Sequence, residues 1–286
     1  MTTIEVKKLP NPVAMYVRAM QSSSKRPGVI ETLPEVTYVR PRVVLEEAAL
    51  AAYSKVCGFS RAHGVPITYP QMLAFPLTMT FFGSKYYPWP AMGTVHLGNN
   101  VKQHQRLHVG DELRIEVSTG PLIAHEKGQI FTLDMRALRK DQLVWEGRQF
   151  LLRMGIRQPK GDAFATALGE TTALAHQADF FAAGGIGRRY GRISGDINPI
   201  HLSSIMAKMF GFRKAIAHGM WTKARALATL MPREALDQAE AIVEFKTPLF
   251  LPARASLWTT RLEDGSLFEV RNAKGDKPHL RGRVTY

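Results

Sequence analysis

The chain has 286 residues, 45% hydrophobic and 22% charged, the profile of a globular protein built as one large domain or two of ordinary size. Its 38 Lys and Arg against 24 Asp and Glu leave a net charge of +14, but the cations are scattered, without an RGG tract, zinc-finger spacing or arginine-studded helix, so a phosphate-bearing small molecule is expected and nucleic acid is not. No apolar run can span a bilayer, the first residues show no secretory signal and the lone Cys57 has no partner for an internal disulfide, which together predict a cytoplasmic protein with no membrane partner.

Residues 1–43, with prolines at 10, 12, 27, 34 and 41, are expected to form an irregular leading segment. EEAALAAYSKVCG (46–58) predicts a helix stopped by its glycine. PQMLAFPLTMTFFGS (70–84) predicts a strongly apolar helix in spite of Pro76. Four alternating tracts follow, from MGTVHLGNNVKQHQ through DELRIEVSTG and GQIFTLDMRALRK to QLVWEGRQFLLRMG, and each predicts a strand.

The second half repeats this order. A short strand is expected near IGRRYGRI, then a helix over HLSSIMAKMFGF and a longer one over GMWTKARALATL. AEAIVEFKTPLF, ASLWTTRLEDG, SLFEVRNAKG and LRGRVTY read as strands. The tracts 95–117 and 240–260 look like counterparts, which points to an internal duplication. Pro, Gly and polar residues cluster at 157–170, so the expected division is 1–158 and 159–286. A long helix wrapped by a curved antiparallel sheet, present twice, is an α+β architecture.

The string SGDINPIH (194–201) places an acid, an amide, a proline and a histidine within eight residues. Asn is a preferred helix cap and Pro suits the first helical position, so His201 falls in a first turn with Asp196 just ahead of the cap. A carboxylate and an imidazole so placed can share a water and divide acid and base roles. Such turns also cap helices with no chemistry attached, and the spacing alone leaves both readings open. A metal is not expected, because no second His or Cys stands at ligand spacing in the string.

In AIAHGMW (215–221), Gly219 opens an apolar helix whose unpaired N–H groups suit a developing oxyanion, although a glycine there also simply eases a turn. His218 alone reads as a packed or capping residue.

The run YGRISGDINPIHLSSIMAKMFGFRKAIAHGM (190–220) resembles the hydratase signature of MaoC-like proteins, the (R)-specific enoyl-CoA hydratases and 3-hydroxyacyl-thioester dehydratases. The resemblance implies a double hotdog with Asp196 and His201 as the catalytic pair and Gly219 as the oxyanion donor. Ser194, Asn198 and Phe245 are expected to shape the site or bind substrate. The N-terminal half has no Asp-x-Asn-Pro-x-His and is expected to shape the acyl pocket instead. Arg188, Arg189, Arg192, Arg213 and Lys214 crowd the motif, either as a solvated basic face or as contacts to the phosphates of CoA or an acyl-carrier protein. The aromatic run FFGSKYYPWP (81–90) fits an acyl tunnel or ordinary core.

The resulting expectation is a cofactor-free, metal-free hydro-lyase of fatty-acid metabolism, monomer or homodimer, acting on acyl-CoA or acyl-carrier-protein thioesters. A hotdog thioesterase and a non-catalytic acyl-thioester binding protein remain the alternatives, because fold alone does not decide between them.

Overall fold

The computed structural model describes residues 2–9, 11–22, 25, 28–169 and 173–286, so the prolines at 10 and 27 and Glu170 lie outside the described residues. The leading segment is not irregular. It forms a short strand β1 (Thr2–Glu5), a helix α1 (Pro12–Gln21) and a nine-residue strand β2 (Val36–Val44). Pro12 and Pro41 sit where proline is tolerated. Pro12 opens α1 behind Asn11, whose side chain accepts from the Val13 N–H at 2.8 Å. Pro41 lies where the pairing register of β2 shifts, between Arg40 and Val43.

The helix α2 (Glu47–Cys57) stops at Gly58, which takes the left-handed conformation at φ 88°. The helix α3 (Tyr69–Phe82) contains Pro76 and is apolar around its whole circumference. Ala74, Leu77 and Phe81 are essentially sealed from water, which is the place for such a helix. Then come β3 (Thr94–Gln103), β4 (Glu112–His125), β5 (Gly128–Arg139), β6 (Gln142–Met154) and the short β7 (Asp162–Ala163). The second half holds β8 (Ala175–Ala182), α4 (Ile186–Ser194), α5 (Pro199–Leu202), α6 (Ser204–Met209) and α7 (Gly219–Leu230). It closes with β9 (Ala239–Phe245), β10 (Ala253–Leu262), β11 (Gly265–Asn272) and β12 (Pro278–Thr285).

Two compact units result. One comprises Met1–Val44, Pro70–Val101 and Asp111–Thr166; the other comprises Leu45–Tyr69, Lys102–Gly110 and Ala167–Tyr286. The chain thus passes for the last time between units at 166/167, close to the polar cluster at 157–170, while α2 and residues 102–110 group with the second unit. In the first unit the strands run β1-β2-β4-β5-β6-β3, and in the second β9-β12-β11-β10-β8. Read from the far end, 2-4-5-6-3 and 8-10-11-12-9 are one topology, as the duplicated sequence pattern implies. Along β12, Leu280, Gly282 and Val284 point inward while Arg281 and Arg283 point away, the period-two pattern of a sheet with one buried face. Against the inner face of β11 and β12 packs α7, with Trp221, Ala224 and Leu227 buried.

In the first unit the aromatic run is core. Phe81, Tyr87 and Trp89 are almost fully buried and surround Phe131, with Tyr87 and Trp89 ring centroids 5.6 Å and 5.5 Å from it. The Trp89 indole N–H donates to the Gly28 carbonyl at 2.7 Å. No helix among the described residues is long and apolar enough to cross a membrane.

Candidate active site

The segment IGRRYGRI forms the helix α4 where the sequence suggests a short strand. Its apolar residues Ile186, Tyr190 and Ile193 recur at helical spacing, but Gly187 and Gly191 weaken helix propensity and disguise the pattern. Packing explains both glycines. A Cβ on Gly187 would run into the His201 carbonyl oxygen, and one on Gly191 would stand 2.7 Å from the Asp196 carbonyl oxygen. The 196–201 loop therefore lies directly on the α4 backbone. The helix ends at Gly195, left-handed at φ 75°, which turns the chain into that loop.

Local hydrogen bonds hold the loop's shape. The Asp196 N–H donates to Ser194 Oγ at 3.1 Å, the Asn198 N–H to Asp196 Oδ1 at 3.2 Å, and the Ile200 N–H to Asn198 Oδ1 at 3.3 Å. Asn198 caps α5 and Pro199 occupies its first turn, as the spacing implies. The expected single helix over HLSSIMAKMFGF is two, because Ser203 is extended (φ −149°, ψ 136°) and its hydroxyl accepts from the Ile205 N–H as a new cap.

His201 is positioned through one nitrogen. Its Nδ1 lies 2.9 Å from the Ile216 carbonyl oxygen, which can only accept, so Nδ1 carries the proton and Nε2 keeps a lone pair. Burial lowers the pKa of this imidazole, outweighing the nearby Asp196, so the ring is a neutral base at pH 7. The carboxyl group of Asp196 is a quarter exposed.

His218 is the residue that sequence reasoning set aside. It is 2% exposed, and its Nε2–H donates to the Asp196 backbone carbonyl at 3.0 Å, with Asp196 Oδ2 at 3.7 Å. Its ring stacks on His201 with centroids 3.7 Å apart and planes 28° apart, and Tyr190 lies 4.9 Å away on α4. Burial, then the His201 neighbour, push its pKa down to about 3. The only sequence signal for this role is its place immediately before Gly219.

Asp196, His201 and His218 each offer a ligand atom within 4.8 Å of the others, so folding supplies the second histidine that the local spacing lacks. The other nitrogen of each ring meets a backbone carbonyl, as in a metal-ligating imidazole. Nearly parallel planes, however, keep the remaining ring lone pairs from meeting at one ion with the geometry zinc requires.

The helix α7 begins at Gly219 behind His218, which makes no side-chain cap bond, and the first turn holds no acidic residue. Its leading N–H groups and positive dipole end are thus left for a ligand. Gly219 is required by close approach: a Cβ there would stand 2.8 Å from the Phe245 ring at the end of β9. All six expected site residues, Ser194, Asp196, Asn198, His201, Gly219 and Phe245, lie in the second unit. His63 does not join the cluster, and its Nδ1 is held 2.7 Å from Ser60 Oγ.

A helix packed on one face of an antiparallel sheet, with that topology used twice in one chain, defines a double hotdog, and its second unit holds the Asp–His loop against a helix start. Residues 187–280, which span α4 to β12, match the family model of the MaoC like domain. Over 254 residues, 89% of this chain and 90% of the relative, the sequence is 30% identical to 3-hydroxyacyl-thioester dehydratase X of Mycobacterium tuberculosis. The crystal structure of HtdX from Mycobacterium tuberculosis matches with a TM-score of 0.75 at 30% identity, covering 87% of this chain and 98% of that one. Another Mycobacterium tuberculosis structure, described as a double hotdog, matches with a TM-score of 0.52 at 15% identity over 93% of this chain and 97% of its own, and supports the fold alone. The chain belongs to the MaoC-like dehydratase family.

Proposed function

We propose that this chain is a hydro-lyase that reversibly adds water to trans-2-enoyl thioesters to give (3R)-3-hydroxyacyl thioesters, with Asp196 and His201 as the catalytic pair. The observation that carries this reading is the neutral His201 imidazole, its Nδ1–H bound to the Ile216 carbonyl, with a ring nitrogen within 4.8 Å of an Asp196 carboxylate oxygen. A water held by the two gives a proton to the pair as its oxygen bonds to C3 of the enoyl group. Negative charge then develops on the thioester oxygen, where the Gly219 N–H donates, and the pair returns a proton to C2. Loss of one such donor typically costs about 10²–10³ in rate. Ser194 and Asn198 hold the loop through their bonds to its backbone, and Phe245 walls the space beside Gly219.

No cofactor or metal enters this scheme, and a cytoplasmic setting is part of the same proposal. The N-terminal half, 1–158, is assigned no chemistry and shapes the acyl pocket, while 159–286 carries the reaction. The thioester carrier is CoA or an acyl-carrier protein, and the working species is a monomer or homodimer.

One water delivered from one site requires syn addition. Hydration of crotonyl-CoA in D₂O, with chiral analysis of the product and its α-deuterium, is expected to give the syn-labelled (3R) thioester. Release of free CoA would mean a thioesterase, and no turnover a binding protein. An (S) product would overturn the stereochemical assignment, and anti addition the shared water.

A further inference from the structure

We infer that the surface formed by α4, α6 and the 212–214 turn is a docking face for an acidic carrier protein that brings the acyl thioester to the site on its pantetheine arm. This inference rests on the proposed thioester chemistry and selects protein-borne over CoA-borne substrate.

Between residues 186 and 214 the single acidic residue is Asp196, which belongs to the site itself. The same stretch presents Arg188, Arg189, Arg192, Lys208, Arg213 and Lys214, all exposed. Among the described residues none of the six forms an ion pair. Two have other contacts that leave their charge in place: Arg188 Nη1 donates to the Leu202 carbonyl at 3.1 Å, and the Arg213 guanidinium lies 4.2 Å over the Phe250 ring. Like charges crowded without counter-charges repel one another, and an anionic partner relieves that repulsion.

Charge alone would also suit the phosphates of CoA. The exposed apolar residues that flank Lys208 on α6 decide the matter. Ile205 and Met209, one turn apart on α6, are 76% and 75% exposed, and Met206 between them is 37% exposed. A nucleotide has no use for an aliphatic ridge on a convex helix, whereas a partner helix with an apolar stripe and acidic flanks covers it. Methionine adapts readily to such a partner. A second copy of this chain would set cation against cation across the ridge. The position is also the one delivery requires, since α6 follows directly on α5, which bears His201.

The test compares crotonyl thioesters on CoA and on an acidic acyl carrier protein, using the native chain and the combined variant Ile205→Glu, Lys208→Glu, Met209→Glu. All three side chains are exposed, so the fold is expected to persist, and CoA turnover with circular dichroism checks it. The expected result is a loss of about tenfold or more in kcat/KM for the carrier thioester, with the CoA thioester changed by less than about twofold. An equal loss on both substrates, or no loss on either, overturns the docking face. A variant that differs from the native chain in oligomeric state by sedimentation makes the ridge a self-interface and also overturns it. So does loss of binding to phosphatidylglycerol vesicles with carrier turnover intact. If the native chain hydrates neither thioester, the hydratase reading fails on its own. Calorimetric titration with the carrier protein then judges the surface: binding by the native chain alone supports it, and equal or absent binding by both overturns it.

Discussion

The two units share a topology, yet the crossovers leading into their central helices have different fates. From β2 to α3 the chain runs through residues 45–68, with α2 on the way; from β8 to α7 it runs through 183–218, with α4, α5 and α6. Both crossovers contain Ala-His-Gly, at 62–64 and 217–219. In the first, His63 closes a short 3₁₀ turn and bonds to Ser60, and α3 begins only at Tyr69. In the second, His218 is itself the cap and Gly219 the first helical residue. The first turn of α3 also contains Pro70, which has no N–H to offer a ligand. One tripeptide thus has two meanings, and the helix start decides between them.

The first crossover is not idle. It groups with the second unit, where the Trp221 indole N–H of α7 donates to the Val56 carbonyl of α2 at 3.0 Å. Tyr53 of α2 lies 6.4 Å from Tyr190, the ring that touches His218. The crossover without an Asp-x-Asn-Pro-x-His string has become backing for the one that has it.

The sharpest way to break this comparison is to remove candidate proton-transfer groups one half of the chain at a time. Asp196→Asn and His201→Gln are each expected to lower kcat by about 10²–10⁴ with circular dichroism unchanged. His63→Gln and His104→Gln in the N-terminal half are expected to stay within about twofold. A loss at His63 or His104 comparable to that at His201 would give the N-terminal half chemistry of its own.

A smaller effect is expected at the helix starts. Gly219→Ala keeps the N–H but drives a methyl against Phe245; overpacking of this kind costs about 1–3 kcal/mol of stability, and the displaced donor is expected to lower kcat by about tenfold or more. Adding Phe245→Leu is expected to recover most of that loss. Failure to recover would show that Gly219 serves by backbone freedom rather than by leaving room for the ring. Pro70→Ala in α3 is expected to leave kcat unchanged.

The mildest test is pH. His218 has a folded pKa of about 3, and that of His201 is also lowered, both first through burial. Below the unfolded value of about 6.5 the unfolded chain binds protons that the folded chain refuses, so stability is full above 6.5 and falls as pH falls. His218 alone contributes a slope of about 1 kcal/mol per pH unit as pH falls below 6.5. Urea midpoints between pH 7 and 5 read it, and His218→Phe is expected to flatten the curve by that amount. An unchanged slope in that variant would mean that the buried ring is not the group resisting protonation.

What could be read from the sequence was what depends on neighbours a few residues away. The helix α7 occupies GMWTKARALATL to the residue, since a glycine start and an apolar stripe are local properties. The Asp196–Asn198–Pro199–His201 turn is likewise held by bonds between residues two apart, so composition and spacing specify it. Tertiary structure decided the rest. Whether Gly187 and Gly191 break a helix or admit a loop depends on carbonyls at 201 and 196, and propensity carries no information about such an approach. The proton on His201 is set by the carbonyl of Ile216, and the neutrality of His218 by the burial that packing creates. The sequence alone determined that an acid and an imidazole would stand at a helix start. Only close packing of backbone segments far apart along the chain determined which nitrogen of His201 keeps its lone pair, because hydrogen-bond direction and desolvation belong to the folded surroundings and not to the residues themselves.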